Sequence, residues 1–381
     1  MLAITNATVL GPLKVKGEST VIVSDGKISY LGPDEQAVLE GTEVIDGHGK
    51  LVAPGFIDLQ INGAFGNDFT AHPESIWETA GELPRYGVTA FLPTIVTSPL
   101  STVDDARDVI TFGQPQEFEG AMPLGLHLEG PFINPAKKGA HSRAFMRNPL
   151  IEDVVDWSPA TGIRMVTLAP ELPGAAWICS VLAERGILIS AGHSMATFDE
   201  AKSGIDAGIR YGTHLFNAMA PLHHREPGLI GAVLADERVT AGLIADGLHV
   251  HPGIIKAVWQ ITRDGRLNLV TDAMAALGMP DGEYQLGSST VIVKGASCRL
   301  PDGTLAGSTL SLDRGLRNLI KYTGCSLSEA LRAITATPAA LLGLGHHKGQ
   351  IAEGYDADLV LLNSDYSVHM TIAAGKILFS G

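Results

Sequence analysis

The stretch Leu188-Ile189-Ser190-Ala191-Gly192-His193-Ser194 contains the pattern that decides the fold. A short apolar run ends at a glycine and a histidine, and a segment with helical periodicity follows, which is typical of a βα unit with a buried parallel strand. From Gly55 to about Met274 we identify eight such runs: Phe56 to Ile61, Ala90 to Ile95, Leu124 to Leu128, Arg164 to Leu168, Leu188 to Ala191, Gly212 to Phe216, Thr240 to Ile244 and Leu267 to Val270. Eight buried strands, each followed by a helix, favour an α/β fold of the closed (β/α)8, TIM-like barrel type over an open doubly wound sheet.

Both ends of the chain carry β-rich runs separated by turns. These runs are Ala3 to Leu10, Ser19 to Ser24, Ile28 to Gly32, Ser288 to Val293, Asp358 to Leu362 and Ser367 to Phe379, the last broken by an Ala374-Gly375 turn. Such strand–turn–strand patterns predict antiparallel sheet. We therefore predict a small β-sandwich domain from residues 1–53 and 346–381, with about 283–300 added, and a barrel over residues 54–345.

Composition narrows the class of protein. The 381 residues are 45% hydrophobic and 18% charged, enough for a sizeable core, and the formal net charge is -14. An acidic chain lacks the clustered cations that a general nucleic-acid surface needs. No signal-peptide pattern and no apolar run of about 20 residues is present, so we expect a cytoplasmic protein without a membrane partner. Cys179, Cys298 and Cys325 are scattered, which favours reduced, buried thiols.

Polar residues at the ends of the predicted strands indicate the chemistry. Glu129 follows the third run, His193 the fifth, and His214 lies in the sixth. Active sites of (β/α)8 barrels form at the carboxyl ends of the strands, so these side chains should meet at one mouth. A catalytic divalent metal takes about three such ligands and keeps a position for water. One of these residues alone would more often be an ordinary polar residue, but the set predicts a metal site.

Asp272, after the eighth run, is the expected proton carrier. It would take a proton from the metal-bound water as general base and pass it to the leaving group as general acid. The alternative is an N-cap of the helix that would begin at Ala273. Its place at a strand end favours catalysis.

Further polar residues are candidates for substrate contacts. His141 and His249 would hydrogen-bond the substrate or polarise its carbonyl, or else be surface loop residues. Arg225, beside His223 and His224, is a candidate anion clamp because guanidinium pairs well with phosphate, although a solvated loop would look the same. The loop from Leu305 to Ser308 offers backbone N–H groups, and helix capping by Ser308 explains it nearly as well. No glycine-rich nucleotide loop follows a strand.

Several motifs resemble those of one enzyme family. They are Pro54-Gly55-Phe56-Ile57-Asp58, His127-Leu128-Glu129-Gly130-Pro131-Phe132, Lys138-Gly139-Ala140-His141, Ala191-Gly192-His193-Ser194, Thr213-His214-Leu215-Phe216-Asn217-Ala218-Met219, Asp246-Gly247-Leu248-His249, Thr271-Asp272-Ala273 and Leu305-Ala306-Gly307-Ser308. Together they resemble the N-acetylglucosamine-6-phosphate deacetylase family of the amidohydrolase superfamily, over nearly the whole chain.

The resemblance implies deacetylation of N-acetyl-D-glucosamine 6-phosphate to D-glucosamine 6-phosphate and acetate, in amino-sugar catabolism and cell-wall sugar recycling. It assigns the metal to Glu129, His193 and His214 and the acid/base role to Asp272. It also implies a homodimer and a set of sugar-phosphate contacts: Ala140, His141, Asn217, Ala218, Arg225, His249, Leu305, Ala306 and Gly307.

The sequence departs from many amidohydrolases at the end of the first strand. Where they carry His-x-His for a second metal, this chain has Gln60-Ile61-Asn62. Neutral amides are poorer transition-metal ligands than imidazole, so we predict one divalent ion per chain. Zinc suits a Glu/His/His site, and iron, manganese or cobalt would bind similar ligands.

Two other functions remain open from sequence. One is a different amidohydrolase, such as a dihydroorotase, an aminoacylase or a purine deaminase, against which the candidate phosphate clamp argues. The other is a metal-free relative with a structural role, since fold alone does not settle function. The presence of all four metal-site residues argues against that alternative.

Overall fold

The computed structural model describes residues 1–11, 15–33 and 40–381, with strands and helices numbered in chain order. The N-terminal strands are β1 (Leu2–Leu10), β2 (Val15–Ser24), β3 (Lys27–Gly32), β4 (Glu43–Asp46) and β5 (Leu51–Pro54). The C-terminal strands are β20 (Leu359–Leu362), β21 (Val368–Ala373) and β22 (Lys376–Ser380). One eight-stranded sheet contains them all, in the order β22-β21-β20-β5-β1-β2-β3, with β4 paired to β1.

The two ends of the chain meet where β20 runs antiparallel to β5, with Leu361 opposite Val52. Alternate residues of these strands, among them Ile4, Val21 and Leu361, bury their side chains in a core of their own. The predicted β domain built from both termini is confirmed. The division of the chain at residues 53 and 346 stays a prediction.

The middle of the chain forms the barrel. Its strands are β6 (Phe56–Ile61), β9 (Val88–Val96), β11 (Leu126–Glu129), β12 (Ile163–Leu168), β13 (Leu188–Ala191), β14 (Ile209–Gly212), β15 (Thr240–Leu243) and β16 (Leu267–Leu269). Neighbouring strands pair in parallel, and short β10 (Met122–Pro123) adds to β9. A parallel bridge between Ile61 and Ala273 links the first strand to the segment after the last. The predicted (β/α)8 architecture is confirmed.

The helices are α1 (Ile76–Glu82), α2 (Leu100–Thr111), α3 (Ala175–Glu184), α4 (Phe198–Asp206), α5 (Gly228–Ala235), α6 (Pro252–Thr262), α7 (Leu312–Thr323), α8 (Leu327–Arg332) and α9 (Ala336–Leu341). None of the helices in the described ranges is long and apolar enough to cross a membrane. The expectation of a helix after every strand is wrong for the third unit. Residues 130–162, all described, form a long loop with only short 3-10 turns. That loop contributes to the candidate site.

The sixth strand also differs from its prediction, Gly212 to Phe216, because β14 spans Ile209–Gly212. His214 and Phe216 have φ of 29° and 79°, in the left-handed region that interrupts a strand. The backbone turn therefore begins earlier than the apolar run suggests.

Inside the barrel, side chains lie in an apolar layer and a polar layer. Leu92, Met165 and Tyr211 belong to the buried apolar cluster, which α9 residue Ala339 also joins. Nearer the strands' carboxyl ends, Thr167 Oγ1 lies 2.7 Å from both His127 Nε2 and Thr213 Oγ1. This hydrogen-bonded layer supports the candidate site from below.

The placement of residues 283–300 in the terminal β domain is wrong. Strands β17 (Gly282–Leu286), β18 (Ser289–Lys294) and β19 (Ser297–Arg299) form a separate three-stranded antiparallel sheet. Their apolar side chains pack on Val96 and Met274, at the end of β9 and just after Asp272. The predicted strand from Ser288 to Val293 corresponds to β18, but its two partner strands were not predicted, and the pairing partner is set by long-range packing. A two-stranded ribbon, β7 (Gly63–Ala64) and β8 (Asn67–Asp68), follows β6.

The three cysteines are free and buried, as expected. Burial raises the pKa of the thiols of Cys179 and Cys298 to about 12. Both thiols are therefore protonated near neutral pH, as inert core residues.

Candidate metal centre and pocket

The structure brings Glu129, His193 and His214 together at the mouth of the barrel. Glu129 Oε1 lies 2.9 Å from His214 Nε2 and 3.1 Å from His193 Nε2, and the two imidazole nitrogens are 3.2 Å apart. All three residues are buried, and their ligand atoms lie within 4.8 Å of one another. One carboxylate and two imidazoles directed at a common point can hold a divalent metal ion. The residues present therefore fit a metal.

Backbone conformation directs these side chains inward. His193 and His214 have φ of 49° and 29°, and Asp272 has φ of 48°. Residues other than glycine rarely adopt this left-handed region, and those that do concentrate at functional sites. The three residues follow the ends of β13, β14 and β16, so a sharp turn there points each side chain into the mouth.

The electrostatics of the cluster favour a bound cation. Burial opposes ionisation of Glu129, but its close contacts with the rings of His141, His193 and His214 outweigh it and hold the pKa of Glu129 well below its usual value. Burial likewise disfavours protonated His214, and the Glu129 carboxylate outweighs this and raises the pKa of His214. The buried carboxylate is thus ionised and requires positive charge beside it.

The orientation of His193 is fixed by a backbone carbonyl. Its Nδ1 lies 2.8 Å from the carbonyl oxygen of Lys137. A carbonyl only accepts, so Nδ1 donates its proton and Nε2 keeps its lone pair toward Glu129. His214 Nδ1, by contrast, is buried and has no hydrogen-bond partner among the described residues.

Asp272 is held by the two amides that replace the usual histidines. Its Oδ1 accepts hydrogen bonds from Asn62 Nδ2 at 2.8 Å and Gln60 Nε2 at 3.2 Å. Gln60 Nε2 also donates to Glu129 Oε1 at 3.0 Å. Burial, reinforced by the negative charge of Glu129, raises the pKa of Asp272 to about 6. A proton acceptor with a pKa close to neutrality suits acid–base chemistry.

A cavity of about 420 Å³ opens over this cluster. All but one of the predicted site residues line it, namely Glu129, Ala140, His141, His193, His214, Asn217, Ala218, His249, Asp272, Leu305, Ala306 and Gly307. A volume of this size suits a small metabolite. Residues far apart in the sequence thus share one pocket.

Two further histidines have fixed ring orientations. The backbone N–H of Thr97 donates to His141 Nδ1 at 3.2 Å, so the proton of neutral His141 resides on Nε2, 3.5 Å from Glu129 Oε2. Burial and then the neighbouring His193 lower the pKa of His141 to about 4. His249 Nδ1 donates to Asp246 Oδ2 at 2.6 Å. Burial would raise the pKa of Asp246, but the hydrogen bonds and charge of His249 outweigh it and lower that pKa.

The loop from Leu305 to Ser308 is tied to the backbone of Asp272. Ser308 N–H donates to the Asp272 carbonyl at 2.8 Å, and Ser308 Oγ donates to the Thr271 carbonyl at 2.6 Å. Gly307 has φ of 63°, and a Cβ there would lie 3.0 Å from Met274 Cβ. Glycine is therefore required for this loop to lie so close to the segment that carries Asp272. The helix-capping alternative for Ser308 does not describe these contacts.

Arg225 is the exception among the predicted contacts. It does not line the cavity, and its exposed side chain hydrogen-bonds His224 Nε2 at 2.8 Å. The cations that do line it are Lys137, Lys138 and Arg143, all in the loop after β11, together with the acidic Asp302. Sequence reasoning did not single these cations out. The adjacent lysines just before Gly139-Ala140-His141, in an acidic chain, were the available signal.

The chain is similar to known proteins over nearly its whole length. Residues 51–378 match the model of the amidohydrolase family. A curated N-acetylglucosamine-6-phosphate deacetylase from Lysinibacillus sphaericus is 36% identical over 99% of this chain and 97% of that protein. The crystal structure of the enzyme of that name from Pasteurella multocida superposes with a TM-score of 0.93 at 34% identity, covering all of both chains. A mutant of the Mycobacterium smegmatis enzyme in complex with N-acetyl-D-glucosamine-6-phosphate gives a TM-score of 0.92 at 32% identity, over 100% of this chain and 99% of that one.

Proposed function

This chain belongs to the amidohydrolase family, and from that premise we propose that it hydrolyses the acetamide of N-acetyl-D-glucosamine 6-phosphate, giving D-glucosamine 6-phosphate and acetate. The similarity to deacetylases of that specificity extends over nearly the full chain. The observation that carries the proposal is the single cavity that Glu129, His193, His214 and Asp272 all line. The enzyme would serve amino-sugar catabolism and cell-wall sugar recycling.

Glu129, His193 and His214 would hold a single divalent metal, and the carboxylate and imidazole ligands suit zinc. Such an ion supplies Lewis-acid activation of water and polarisation of the amide carbonyl when bound. Gln60 and Asn62 direct amide N–H groups at the two carboxylates, where a second cation would otherwise sit. This arrangement supports one metal per chain.

Asp272 would act on protons. Its buried carboxylate, with a pKa of about 6, accepts a proton from the attacking water and returns it to the leaving amine. Hydrogen bonds to Oδ1 from Gln60 and Asn62 fix the carboxyl group, so the other oxygen, Oδ2, is the natural site for the proton.

His141 would stabilise the charge that develops on the acetamide oxygen. It is neutral and buried, and its Nε2–H faces Glu129 Oε2, so it is a preorganised donor. His249, held through Nδ1 by Asp246, presents Nε2 to the sugar. These two rings thus have different functions in the same cavity.

The remaining sugar-phosphate contacts are proposed from the resemblance and from the cavity lining. Ala140, Asn217, Ala218, Leu305, Ala306 and Gly307 border the cavity and would contact the sugar phosphate. Arg225 would bind the phosphate from the exposed loop that follows Asn217 and Ala218. Arg143 is the competing anchor, because it already lines the cavity.

A homodimer is proposed on two grounds, the family expectation and an apolar rim. Met195, Leu222 and Leu248 follow β13, β14 and β15, and each side chain is 45–51% exposed. Exposed apolar residues grouped at one rim are typical of an interface.

The three free, buried thiols support a cytoplasmic location.

An amine-release assay on phosphorylated and unphosphorylated N-acetyl sugars tests the function. The zinc-loaded enzyme should have a kcat/KM for N-acetylglucosamine 6-phosphate at least tenfold higher than for N-acetylglucosamine. The reason is that a charge-assisted contact between the phosphate and a cation contributes about 1.4 kcal/mol or more, and about 1.4 kcal/mol corresponds to a factor of ten. Activity only on a dihydroorotate or a purine would refute the proposal.

Three arginine variants locate the phosphate anchor. Arg225→Ala should reduce kcat/KM for the phosphorylated sugar while leaving the unphosphorylated sugar nearly unaffected. Arg143→Ala tests the competing anchor in the same way. Arg263→Ala serves as the matched control. Arg263 is exposed at the end of α6, just before β16 begins, and so lies at the end of the barrel away from the cavity. Equal losses on both sugars in Arg225→Ala would count against its assignment.

A further inference from the structure

Glu171 lies just beyond β12, outside the cavity lining, and is half-buried. We propose that it is a positioning residue for the metal centre, which clamps together the two loops that orient His193. This inference rests on the proposed metal-dependent function, and it concerns a residue that neither the motif pattern nor the cavity singles out.

One group of contacts ties Glu171 to the loop that carries His193. Ser194 Oγ donates to Glu171 Oε2 at 2.7 Å, and the backbone N–H of Met195 donates to Glu171 Oε1 at 2.6 Å. Ser194 Oγ also accepts the N–H of Ala196 at 2.9 Å. The two residues directly after the ligand are therefore fixed by one carboxylate.

The other contact reaches the loop after β11. Asn134 Nδ2 donates to Glu171 Oε1 at 2.9 Å. The Asn134 backbone N–H donates to the His193 carbonyl at 2.9 Å, and Lys137 N–H donates to the Asn134 carbonyl at 2.8 Å. The Lys137 carbonyl in turn accepts the His193 Nδ1 proton. Glu171 thus holds the backbone just after His193 and also the turn from Asn134 to Lys137, whose carbonyl fixes the His193 ring.

The clamp is built on an acceptor-only group. Two side chains, Ser194 and Asn134, and the backbone N–H of Met195 all donate to the Glu171 carboxylate, and an ionised carboxylate only accepts. A glutamine keeps one acceptor oxygen and replaces the other by an NH2 group, so the Ser194 hydroxyl would have to reverse its direction and the charge-assisted bonds would be lost. Glu171→Gln therefore preserves size and shape while weakening the clamp, which makes it the informative variant.

Zinc affinity is the decisive measurement, because it does not depend on the reaction. Outer-shell partners of a metal ligand change metal affinity about 10- to 100-fold when mutated. We expect Glu171→Gln to weaken zinc binding by that factor in competition with a chromophoric chelator. The matched control is Glu329→Gln, because Glu329 also accepts a serine hydroxyl and a backbone N–H, at 2.7 and 2.8 Å, in the remote capping box of α8. Its zinc affinity should equal that of the unmodified protein.

Two further readouts separate positioning from a general loss of stability. The absorption spectrum of the cobalt-loaded protein should change in Glu171→Gln and not in Glu329→Gln. Excess zinc should restore kcat of Glu171→Gln while KM for the sugar phosphate stays constant. Unchanged zinc affinity, or an equal loss in both variants, would overturn the proposal.

A second variant decides the matter if Glu171→Gln does not fold. Ser194→Ala removes one of the three donors and should weaken zinc binding by a smaller factor, and unchanged affinity would refute the clamp. A protein that binds zinc tightly through the clamp but hydrolyses no N-acetyl sugar would refute the proposed function while leaving this inference intact.

Discussion

Replacing Asp272 by asparagine should lower activity and raise the stability of the metal-free protein at the same time. Asparagine keeps an Oδ1 that can accept the hydrogen bonds from Asn62 and Gln60, so the side chain should stay in place. It cannot accept a proton from water. Loss of a positioned acid–base group lowers kcat by about 10²- to 10⁴-fold.

The stability effect follows from the raised pKa of Asp272. Folding raises that pKa from 3.8 to about 6, and this difference of about 2.2 in pKa, at 1.36 kcal/mol for each pKa unit, corresponds to about 3 kcal/mol. A carboxyl whose pKa is raised on folding destabilises the native state once it ionises. The penalty is absent below pH 3.8 and complete above about pH 6. Metal-free Asp272→Asn should therefore be more stable by up to about 3 kcal/mol at pH 7.5, and about equal at pH 4.

Urea denaturation in the presence of a chelator, at both pH values, measures this difference. Asp246→Asn is the control, for which we expect a change of opposite sign in the free energy of unfolding. Burial opposes ionisation of Asp246, but the hydrogen bond and charge of His249 outweigh it and lower its pKa, so the ionised form stabilises the fold above pH 3.8 and that stabilisation is lost as the pH falls. Asp246→Asn should thus be less stable at pH 7.5. An Asp272→Asn protein that is less stable at pH 7.5, or that retains activity within tenfold, would refute the reasoning.

Two other predictions concern the same centre. Asn62→Leu removes a hydrogen bond that lowers the pKa of Asp272, so that pKa should rise. The acid limb of the plot of kcat/KM against pH, where activity falls as Asp272 is protonated, should therefore move to higher pH. An acid limb at the same pH in the variant would contradict this. Zinc at about 1,000 times its Kd should stabilise the protein by about 4 kcal/mol. Over a chain of 381 residues, at about 2.1 cal/mol/K per residue, this raises Tm by about 5 °C. His214→Asn should abolish the rise in a thermal scan, and an equal rise in that variant would mean that zinc binds elsewhere.

Much of the candidate site could be predicted because it depends on local pattern. A buried run that ends in glycine and a polar residue can be recognised within a few positions, and barrel geometry brings all such ends to one mouth. Glu129, His193, His214 and Asp272 each follow or border such a run, and the structure brings them together. The motifs around them identified the family.

Other features could not be predicted because they depend on contacts between distant segments. The strand predicted from Ser288 to Val293 was recognisable from alternation, but its two partner strands and their packing on Val96 and Met274 were not. The loop after β11 lacks the expected helix, and its cations reach the cavity while Arg225 does not. No periodicity encodes how far a loop side chain reaches.

By itself, the sequence determined the barrel, the β domain of both termini and the identity of the candidate metal ligands, since hydrophobic period and residue type are local properties. Only the tertiary structure decided how those ligands are held. The Lys137 carbonyl fixes the His193 ring, Glu171 joins two loops, and burial beside Glu129 sets the pKa of Asp272. Hydrogen-bond geometry and desolvation arise from neighbours in space, and those neighbours exist only once the chain has folded.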